Sequence, residues 1–458
     1  MQDSIQSLNK AYINHLRKAG SDAAGQFEFL NRYLTERNCT FRDEPMPSLL
    51  KPNFVSEEQT RVITWAVEKI SSALNKFIHL FMHDEEVRRI MNFTDKEEEL
   101  FAIEPGYSKP LVISRLDAFQ NDLSVKFLEF NCDSPAGIAY ADIQEDGFRE
   151  LFKSYPIFAG WKVNYFRRQE RLLNALIKCY NEYRAGRRRM PERPVIAIVD
   201  WKDVSTYSEF MMHERYFTLK GYETVICSPF DLHLRDGRVY AYDREINLVY
   251  KRVITRELLE KWNKVQEFIR CLKEGPVCCC NPFRSYIVGC KKVLTVITDP
   301  RFQHIFSREE LKVIRETVPW TKILADSMVT YREKEYRLTD LITSRKNKFV
   351  LKPANMYGGK DVHIGLDTGQ AEWEKVMNKH LDEEDWVVQE FVEIPMDTYP
   401  EIGEGVTFKK KYVNINPYAL LENYSGTISR VSDNQVINVS AGGGLVPTLT
   451  VKRREQDE

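Results

Sequence analysis

The sequence of 458 residues lacks long apolar runs. A transmembrane helix needs roughly 18–20 predominantly apolar residues in a row, and the runs present here are short, such as VIAIV at 195–199. The first residues, MQDSIQSLNKAY, do not have the basic segment and apolar stretch of a secretory signal. We therefore expect a cytoplasmic protein that does not engage a membrane.

An excess of charge of either sign is also missing. The 66 lysines and arginines balance 67 aspartates and glutamates, for a net charge of −1. A general nucleic-acid-binding protein needs a basic face that releases counterions from the phosphates. We therefore expect no nucleic-acid partner, although a local basic groove is compatible with this total.

Several familiar site motifs are absent. The nine cysteines include one cluster, Cys278 to Cys280, and no CxxC pair, so we expect reduced thiols rather than a zinc site. No HExxH motif is present, which excludes zincin chemistry. The sequence also contains neither GxGxxG nor GxxxxGK[ST], which argues against a dinucleotide-binding Rossmann site and a P-loop.

Hydrophobic periodicity divides the chain into regions with different predicted secondary structure. The pattern predicts helices up to about residue 95, and 195–252 alternates strand and helix as in a small parallel α/β unit. The remaining predicted helices cover 161–184, 255–274, 308–317 and 371–381. The remaining predicted strands cover 111–119, 124–130, 348–353, 362–365, 386–393 and much of the last 55 residues.

The first candidate site combines Arg115, Asp117, Glu129 and Asn131. Residues two apart on a strand share a face, so all four converge if the two strands pair across an odd-length loop. A five-residue loop, 120–124, would set Arg115 opposite Glu129, and a slip of one residue would split the group. Two carboxylates and an amide suit Mg²⁺, with Arg115 as a planar donor, but cross-strand ion pairs on a solvated face explain the pattern too.

The second candidate is Lys352 followed by a glycine loop that contains Gly358 and Gly359. Such a hairpin lets backbone N–H groups approach phosphate oxygens closely, although an ordinary turn gives the same pattern. The segment WVVQEFVE at 386–393 could supply hinge backbone groups to an adenine ring, or be a core strand.

Two further candidates are basic. Arg430 lies in GTISRVS and could contact a transferred phosphoryl group, or be a surface arginine. Lys291 and Lys292 open a predicted helix, where a lysine is mildly unfavourable against the dipole and so hints at an anionic ligand.

In this order, the motifs resemble those of the circularly permuted ATP-grasp proteins, in particular the synthetase domain of glutathionylspermidine synthases. The resemblance covers about residues 110–450, and it rests on these segments: SRLDAF, FLEFNCDSPAG, INLVYKR, CKKVLTVITD, FVLKPANMYGGKDV, WVVQEFVE and GTISRVS with INVSAGGG. It implies an α+β or α/β fold of the permuted ATP-grasp type, with a helical N-terminal region and a small parallel α/β subdomain.

The resemblance also implies roles for individual residues, with ATP and two Mg²⁺ ions as cofactors. Arg115 and Arg430 resemble the catalytic arginines, and Lys291 resembles a phosphate contact, with Lys292 as its alternative. The other implied positions are the metal ligands Asp117, Glu129 and Asn131, the phosphate-binding Lys352, the lid residues Met356, Tyr357, Gly358, Gly359 and Lys360, and the adenine hinge of Gln389, Glu390 and Val392.

On this basis the expected division of the chain has five parts. They are a helical N-terminal region (1–105), metal-binding strands and helix of the ATP-grasp core (106–190), a small α/β subdomain (191–280), a nucleotide-clamping subdomain with a lid (281–400) and C-terminal strands that complete the core (401–458).

The implied activity is ATP-dependent ligation of a carboxylate to an amine through an acyl phosphate. A kinase on the same scaffold and a non-catalytic ATP-binding protein are the alternatives. The expected partners are a small-molecule carboxylate and amine, or a carrier protein or peptide, and the sequence does not define an oligomeric state.

Overall fold

A computed structural model describes residues 2–20, 22–42, 44–46, 48–187, 189–356, 358–381, 383–437 and 442–454. Within these residues, no helix is long and apolar enough to cross a membrane.

The N-terminal region is mainly helical, as predicted, but it also contains three short strands. Its longest helix begins with a capping box, in which Ser56 and Gln59 satisfy each other's backbone N–H groups. The elements are α1 (Gln2–Ala19), α2 (Asp22–Thr35), β1 (Thr40–Phe41), β2 (Glu44–Pro45), β3 (Asn53–Ser56), α3 (Glu57–His83), α4 (Glu85–Met91) and α5 (Asp95–Phe101).

The next region starts with the predicted strand pair. The helix predicted over 161–184 is wrong at its start, because 161–164 is a strand that joins the edge of a sheet. The elements are β4 (Ile113–Asn121), β5 (Ser124–Asn131), α6 (Ile138–Phe152), β6 (Trp161–Asn164) and α7 (Arg168–Arg184).

The predicted parallel α/β unit is confirmed, and an antiparallel meander that the pattern did not predict is inserted in it. Its parallel sheet has the order β13-β12-β7-β8, and the meander has the order β11-β10-β9. The elements are β7 (Ile196–Val199), α8 (Tyr207–Leu219), β8 (Thr224–Cys227), β9 (Leu232–Arg235), β10 (Arg238–Ala241), β11 (Arg244–Glu245), β12 (Leu248–Lys251), α9 (Thr255–Glu260), α10 (Gln266–Glu274) and β13 (Cys278–Cys280).

The following region contains a second four-stranded sheet, of order β14-β19-β17-β18, and a separate hairpin of β15 and β16. The elements are α11 (Arg284–Ile287), α12 (Lys292–Ile297), α13 (Arg308–Thr317), β14 (Thr321–Ile323), β15 (Met328–Tyr331), β16 (Lys334–Arg337), α14 (Leu338–Ser344), β17 (Phe349–Pro353), β18 (His363–Ile364), α15 (Gln370–His380) and β19 (Trp386–Glu390). Short 3₁₀ helices lie at Pro156–Phe158, Pro229–Asp231, Trp262–Lys264, Pro300–Ile305 and Lys346–Lys348.

Four C-terminal strands complete the largest sheet, as the strand-like end of the sequence predicts. They are β20 (Met396–Ile402), β21 (Val406–Leu420), β22 (Asn423–Ser432) and β23 (Gly444–Arg453). The main order is β3-β23-β22-β21-β4-β5, with β20 added on β21 and β6 on β23. The strands that carry Asp117 and Arg430 are therefore separated by β21 alone, although the two residues are 313 positions apart in the chain.

Candidate functional site

The hairpin of β4 and β5 brings the first group of predicted residues onto one face of the largest sheet. Arg115 lies opposite Asn131, and Asp117 lies opposite Glu129. The expected pairing of Arg115 with Glu129 is wrong by two residues: the two-residue turn after Asn121 moves the partner of Arg115 by one residue, and a register shift moves it by one more.

A β-bulge at Leu128 reconciles the short turn with the shared face. Pairing continued from the turn without interruption would set Asp117 opposite Leu128, but the register shifts by one residue just after Asp117. Since successive side chains point to opposite faces, this extra residue brings Glu129 and Asn131 to the face of Asp117. Without the bulge, the group would be divided between the two faces of the sheet.

Asp117 is held between two arginines, which we call the arginine pair. Arg115 donates from Nε to Oδ1 of Asp117 at 2.9 Å, and Arg430 donates from Nη1 to Oδ2 at 2.9 Å. The Arg430 side chain is 15% exposed, so it is not a surface arginine. Burial and the nearby Arg115 lower its pKa, and Asp117 raises it. Two guanidinium groups thus meet a single carboxylate.

Glu129 meets a second pair of cations, Lys291 and Lys352, which we call the lysine pair. Lys291 Nζ lies 3.1 Å from Glu129 Oε2. Lys352 donates to the backbone carbonyl of Leu128 at 2.9 Å and to Gln389 Oε1 at 2.8 Å. The bulge therefore supplies the acceptor that orients Lys352.

Burial and charge act in opposite directions on the lysine pair and its carboxylate. Burial alone would raise the pKa of Glu129, but Lys291 and Lys352 lower it to about 2. Burial and the charge of Lys291 lower the pKa of Lys352 to about 7, although Glu129 opposes them. A buried lysine in this condition gains from an anion that restores its charge.

Of the two adjacent lysines, Lys291 is the one that faces the site. It caps the start of α12, its N–H donates to the carbonyl of Ala354 at 2.9 Å, and its ammonium contacts the carbonyl of Met356. Lys292 points elsewhere and donates to the carbonyl of Met91 at 3.2 Å. Of the two lysines that the sequence left as alternatives, Lys291 is therefore the one that lies in the site.

The predicted lid is the connection between β17 and β18. Gly358 and Gly359 have φ angles of 78° and 70°, in the left-handed region that favours glycine. A side chain at Gly359 would place its Cβ 2.6 Å from Val436 Cγ1, so the two loops approach closely. Tyr357 lies outside the described residues. Lys360 lies in the same connection and lines the cavity described below.

Gln389 belongs to the predicted adenine hinge, but its side chain is already occupied. Its amide nitrogen donates to Thr321 Oγ1 at 3.0 Å, while its oxygen accepts from Lys352. The side chain is therefore placed to position Lys352.

The backbone after Gln389 leaves the sheet at the cavity wall. The N–H of Glu390 donates to the carbonyl of Trp320 at 2.8 Å, and its carboxylate accepts from the hydroxyl of Tyr331 at 2.7 Å. The N–H of Phe391 donates to another backbone carbonyl at 2.7 Å. Val392 follows as the next lining residue.

One cavity of about 500 Å³ brings all of these groups together. Its volume lies within the range of about 300–1,000 Å³ that is usual for small-molecule sites. With Lys291 counted as the site lysine, fourteen of the fifteen predicted site residues line it, and the fifteenth, Tyr357, lies outside the described residues. The fourteen are Arg115, Asp117, Glu129, Asn131, Lys291, Lys352, Met356, Gly358, Gly359, Lys360, Gln389, Glu390, Val392 and Arg430.

The three predicted metal ligands, Asp117, Glu129 and Asn131, differ in the partners that surround them. Among the described residues, no group of three His, Cys, Asp or Glu side chains is arranged to hold a metal. Both oxygens of Asp117 accept from arginines, and Oε2 of Glu129 forms an ion pair with Lys291. The amide nitrogen of Asn131 is buried without a hydrogen-bond partner, but as an N–H donor it suits an anion and only the amide oxygen could bind a cation. Mg²⁺ readily combines one or two protein oxygens with phosphate oxygens and water, so Glu129 and Asn131 fit an ion that arrives with a nucleotide.

The loop 132–137, which forms another wall, is held by residues that sequence reasoning did not assign to the site. Arg252 donates to the carbonyl of Pro135 at 2.7 Å, and Glu209 accepts from the N–H of Gly137 at 2.8 Å. Lys251 forms an ion pair with Asp133. The sequence did contain a signal for Lys251 and Arg252, because the segment INLVYKR ends an apolar strand with these two adjacent charged residues.

Phe41 and Met46 also line the cavity, from the N-terminal region where the sequence showed nothing chemical. No local signal marks them, because their place depends on a contact between distant parts of the chain.

No protein-family model matches the chain. Uncharacterised proteins of Mycobacterium tuberculosis (strain H37Rv) and of Mycobacterium bovis are each 22% identical to it, over 95% of this chain and 79% of theirs. Among solved structures, the apo form of a glutathione synthetase-like effector from Globodera pallida matches with a TM-score of 0.63. That match covers 94% of this chain and 97% of the effector, at 10% identity.

The structural match defines the fold. The chain has the mixed α+β fold of this glutathione synthetase-like effector along nearly its whole length. At this level of identity the likeness concerns the fold alone, so function has to be argued from the site.

Proposed function

We propose that the protein is an ATP-dependent carboxylate–amine ligase with a circularly permuted ATP-grasp fold. The observation that carries the proposal is the meeting of four cationic side chains and two carboxylates, predicted from motifs hundreds of residues apart, in one cavity. Such a surplus of buried positive charge suits a ligand with several phosphate oxygens.

In this proposal the lysine pair faces the nucleotide. Lys291 and Lys352 contact phosphates, the segment from Met356 to Lys360 closes over them, and the backbone near Val392 meets the adenine. Mg²⁺ would be held by Glu129 and Asn131 together with phosphate oxygens, and when bound it supplies neutralising charge for phosphoryl transfer. The involvement of a second ion and of Asp117 belongs to the same proposal.

The arginine pair faces the reacting centre. A carboxylate is a poor acyl donor until phosphoryl transfer from ATP converts it to an acyl phosphate, from which an amine then displaces phosphate. Negative charge develops first on the phosphoryl oxygens and then on the tetrahedral intermediate. Arg115 and Arg430 are fixed donors that can stabilise both. A closed glycine lid would keep water from hydrolysing the acyl phosphate.

The division into five parts, a cytoplasmic location, and small-molecule or carrier-bound substrates complete the proposal. The neutral total charge is consistent with it, because the cationic cavity is small compared with the whole surface.

The test measures ADP release in the presence of Mg²⁺, ATP, hydroxylamine and a panel of carboxylates. A ligase forms ADP together with a hydroxamate of the acid. A kinase forms ADP with a stable phosphorylated product and no hydroxamate. Binding of ATP without any ADP release across the panel would indicate a non-catalytic protein and contradict the proposal.

A further inference from the structure

Part of the cavity lining, beside the arginine pair, is apolar, and we call this part the apolar end. It is lined by Phe41, Met46, Tyr140, Ile428 and Leu445. These five side chains pack in one hydrophobic cluster, which is separate from the cluster that contains α12, the helix capped by Lys291.

Strand register connects the apolar end directly to the arginine pair. Leu445 of β23 lies opposite Arg430 of β22, and Ile428 precedes Arg430 by two residues on the same strand. Residues in these positions share one face of a sheet. A molecule whose carboxylate meets Arg430 therefore has apolar surface beside it on the same face.

The N-terminal hairpin of β1 and β2 forms the wall over this face. The hydroxyls of Tyr140 and Ser208 lie 2.7 Å apart, and Ser208 donates to the carbonyl of Thr40 at 2.7 Å. The N–H of Met46 donates to the carbonyl of Cys39 at 3.0 Å. Phe41 and Met46 are thus held in place by bonds to α6 and α8.

The charges around the cavity disfavour a polycationic occupant. Each carboxylate among the described lining residues already has a cationic partner: Asp117 with the arginine pair, Glu129 with Lys291, Asp133 with Lys251, and Glu390 with Arg332. The described lining from the hairpin, α6 and β23 contains no lysine, arginine or carboxylate. A charged group placed there would lose water without gaining a partner.

From this arrangement we infer that the acid substrate has an apolar body, which occupies the apolar end while its carboxylate meets Arg115 and Arg430. The inference rests on the proposed ligase function and specifies its substrate class.

A matched acid series tests this inference. Hexanoate, 6-aminohexanoate and adipate have the same chain length and differ only in the distant end. With ATP, Mg²⁺ and hydroxylamine, kcat/KM for hydroxamate formation should be at least tenfold higher for hexanoate than for the two charged acids. Along propionate, butyrate, pentanoate and hexanoate, it should rise about fourfold for each buried methylene.

Two variants locate the effect. Phe41→Ala should lower kcat/KM for hexanoate about tenfold and leave KM for ATP unchanged, because it removes part of the apolar wall. Phe29→Ala is the matched control, since Phe29 is a half-buried aromatic residue of the N-terminal region that does not line the cavity.

Thermal shift of the full chain separates this inference from the proposed function. A ligand that binds only the folded state raises Tm, whether or not turnover occurs. Hexanoate should raise Tm more than adipate, and Phe41→Ala should abolish the difference.

If hydroxamate forms best from a charged acid, the inference is overturned while the ligase stands. If no hydroxamate forms but hexanoate still raises Tm selectively, the ligase is overturned and the apolar subsite stands. Equal shifts for all acids, or none, overturn the inference.

Discussion

The arginine pair and the lysine pair each consist of two cationic side chains near one carboxylate, but the cations are of different chemical types. Arg115 and Arg430 both contact Asp117, whereas Lys291 alone forms an ion pair with Glu129 and Lys352 acts on Glu129 through its charge. The guanidinium groups of Arg115 and Arg430 stay protonated at any physiological pH. The ammonium of Lys352, by contrast, has a pKa lowered by burial and by Lys291 to about 7.

This difference indicates how the two ends of the site behave before a ligand arrives. The arginine pair keeps its charge and is satisfied within the protein. Lys352, whose pKa is lowered to about 7, can release a proton and recover it when an anion enters. A permanent charge suits the place where a transition state develops, whereas an adjustable one suits a ligand that comes and goes.

The largest expected effect is a loss of turnover when the lysine pair or its carboxylate is altered. Lys352→Ala and Glu129→Ala should each reduce ATP-dependent turnover by about 10²–10³-fold or more, because each removes a preorganised charge. The measurement is ADP release with circular dichroism to verify folding. Lys375→Ala is the control, since its side chain is 74% exposed on α15. Near-normal turnover in both variants would contradict the assignment of the lysine pair.

Stability should distinguish the two carboxylates. Asp117→Asn leaves two permanently charged arginines without their buried partner, and we expect a loss of about 3–5 kcal/mol in the free energy of unfolding. Glu129→Gln should cost clearly less, because Lys352 can become neutral. Urea unfolding of both variants at pH 8 measures the difference. Equal losses would show that the ability of Lys352 to release its proton does not matter.

Nucleotide affinity should depend on pH through Lys352. As pH rises through about 7, Lys352 loses its proton in the free protein and with it the charge that attracts phosphate. If the bound phosphate raises that pKa by two units, affinity for Mg·ADP should fall on the order of tenfold from pH 6 to pH 8. Calorimetry measures both the affinity and the proton taken up on binding. Lys352→Met should bind weakly but without this pH dependence, and a persisting slope would assign it to another group.

The last effect concerns unfolding of the free protein. Between pH 7 and the ordinary pKa of lysine, the unfolded chain binds a proton at Lys352 that the folded chain does not, so stability should rise with pH across this interval. Glu129 acts at the other extreme, because its lowered pKa makes its contribution disappear as pH falls from 4.5 towards about 2. Unfolding midpoints measured with and without Lys352→Met isolate the first contribution, which should vanish in the variant.

The residues predicted from the sequence line one cavity, but the sequence did not predict the contacts that join them. Buried strands such as β17 and β19 are visible because an apolar run ends in a polar group. The shared face of Asp117 and Glu129 was predicted with the wrong loop, since a bulge at Leu128 has no clear signal in the residues around it. The use of the Gln389 side chain to hold Lys352 depends on tertiary packing.

The N-terminal region shows the same limit. Its helices follow from periodicity, but β3 was missed because four residues that pair with a strand almost four hundred positions away carry no local pattern. The wall made by Phe41 and Met46 depends on the same kind of distant contact.

The hydrogen bond from Lys352 to the bulged carbonyl of Leu128 joins residues 224 positions apart. During synthesis, the hairpin with its carboxylates leaves the ribosome long before the strand that carries Lys352 exists. The nascent chain therefore contains Arg115, Asp117 and Glu129 while Lys352, and after it Arg430, are still untranslated. Under the proposed function, the protein cannot consume ATP until synthesis has passed Arg430.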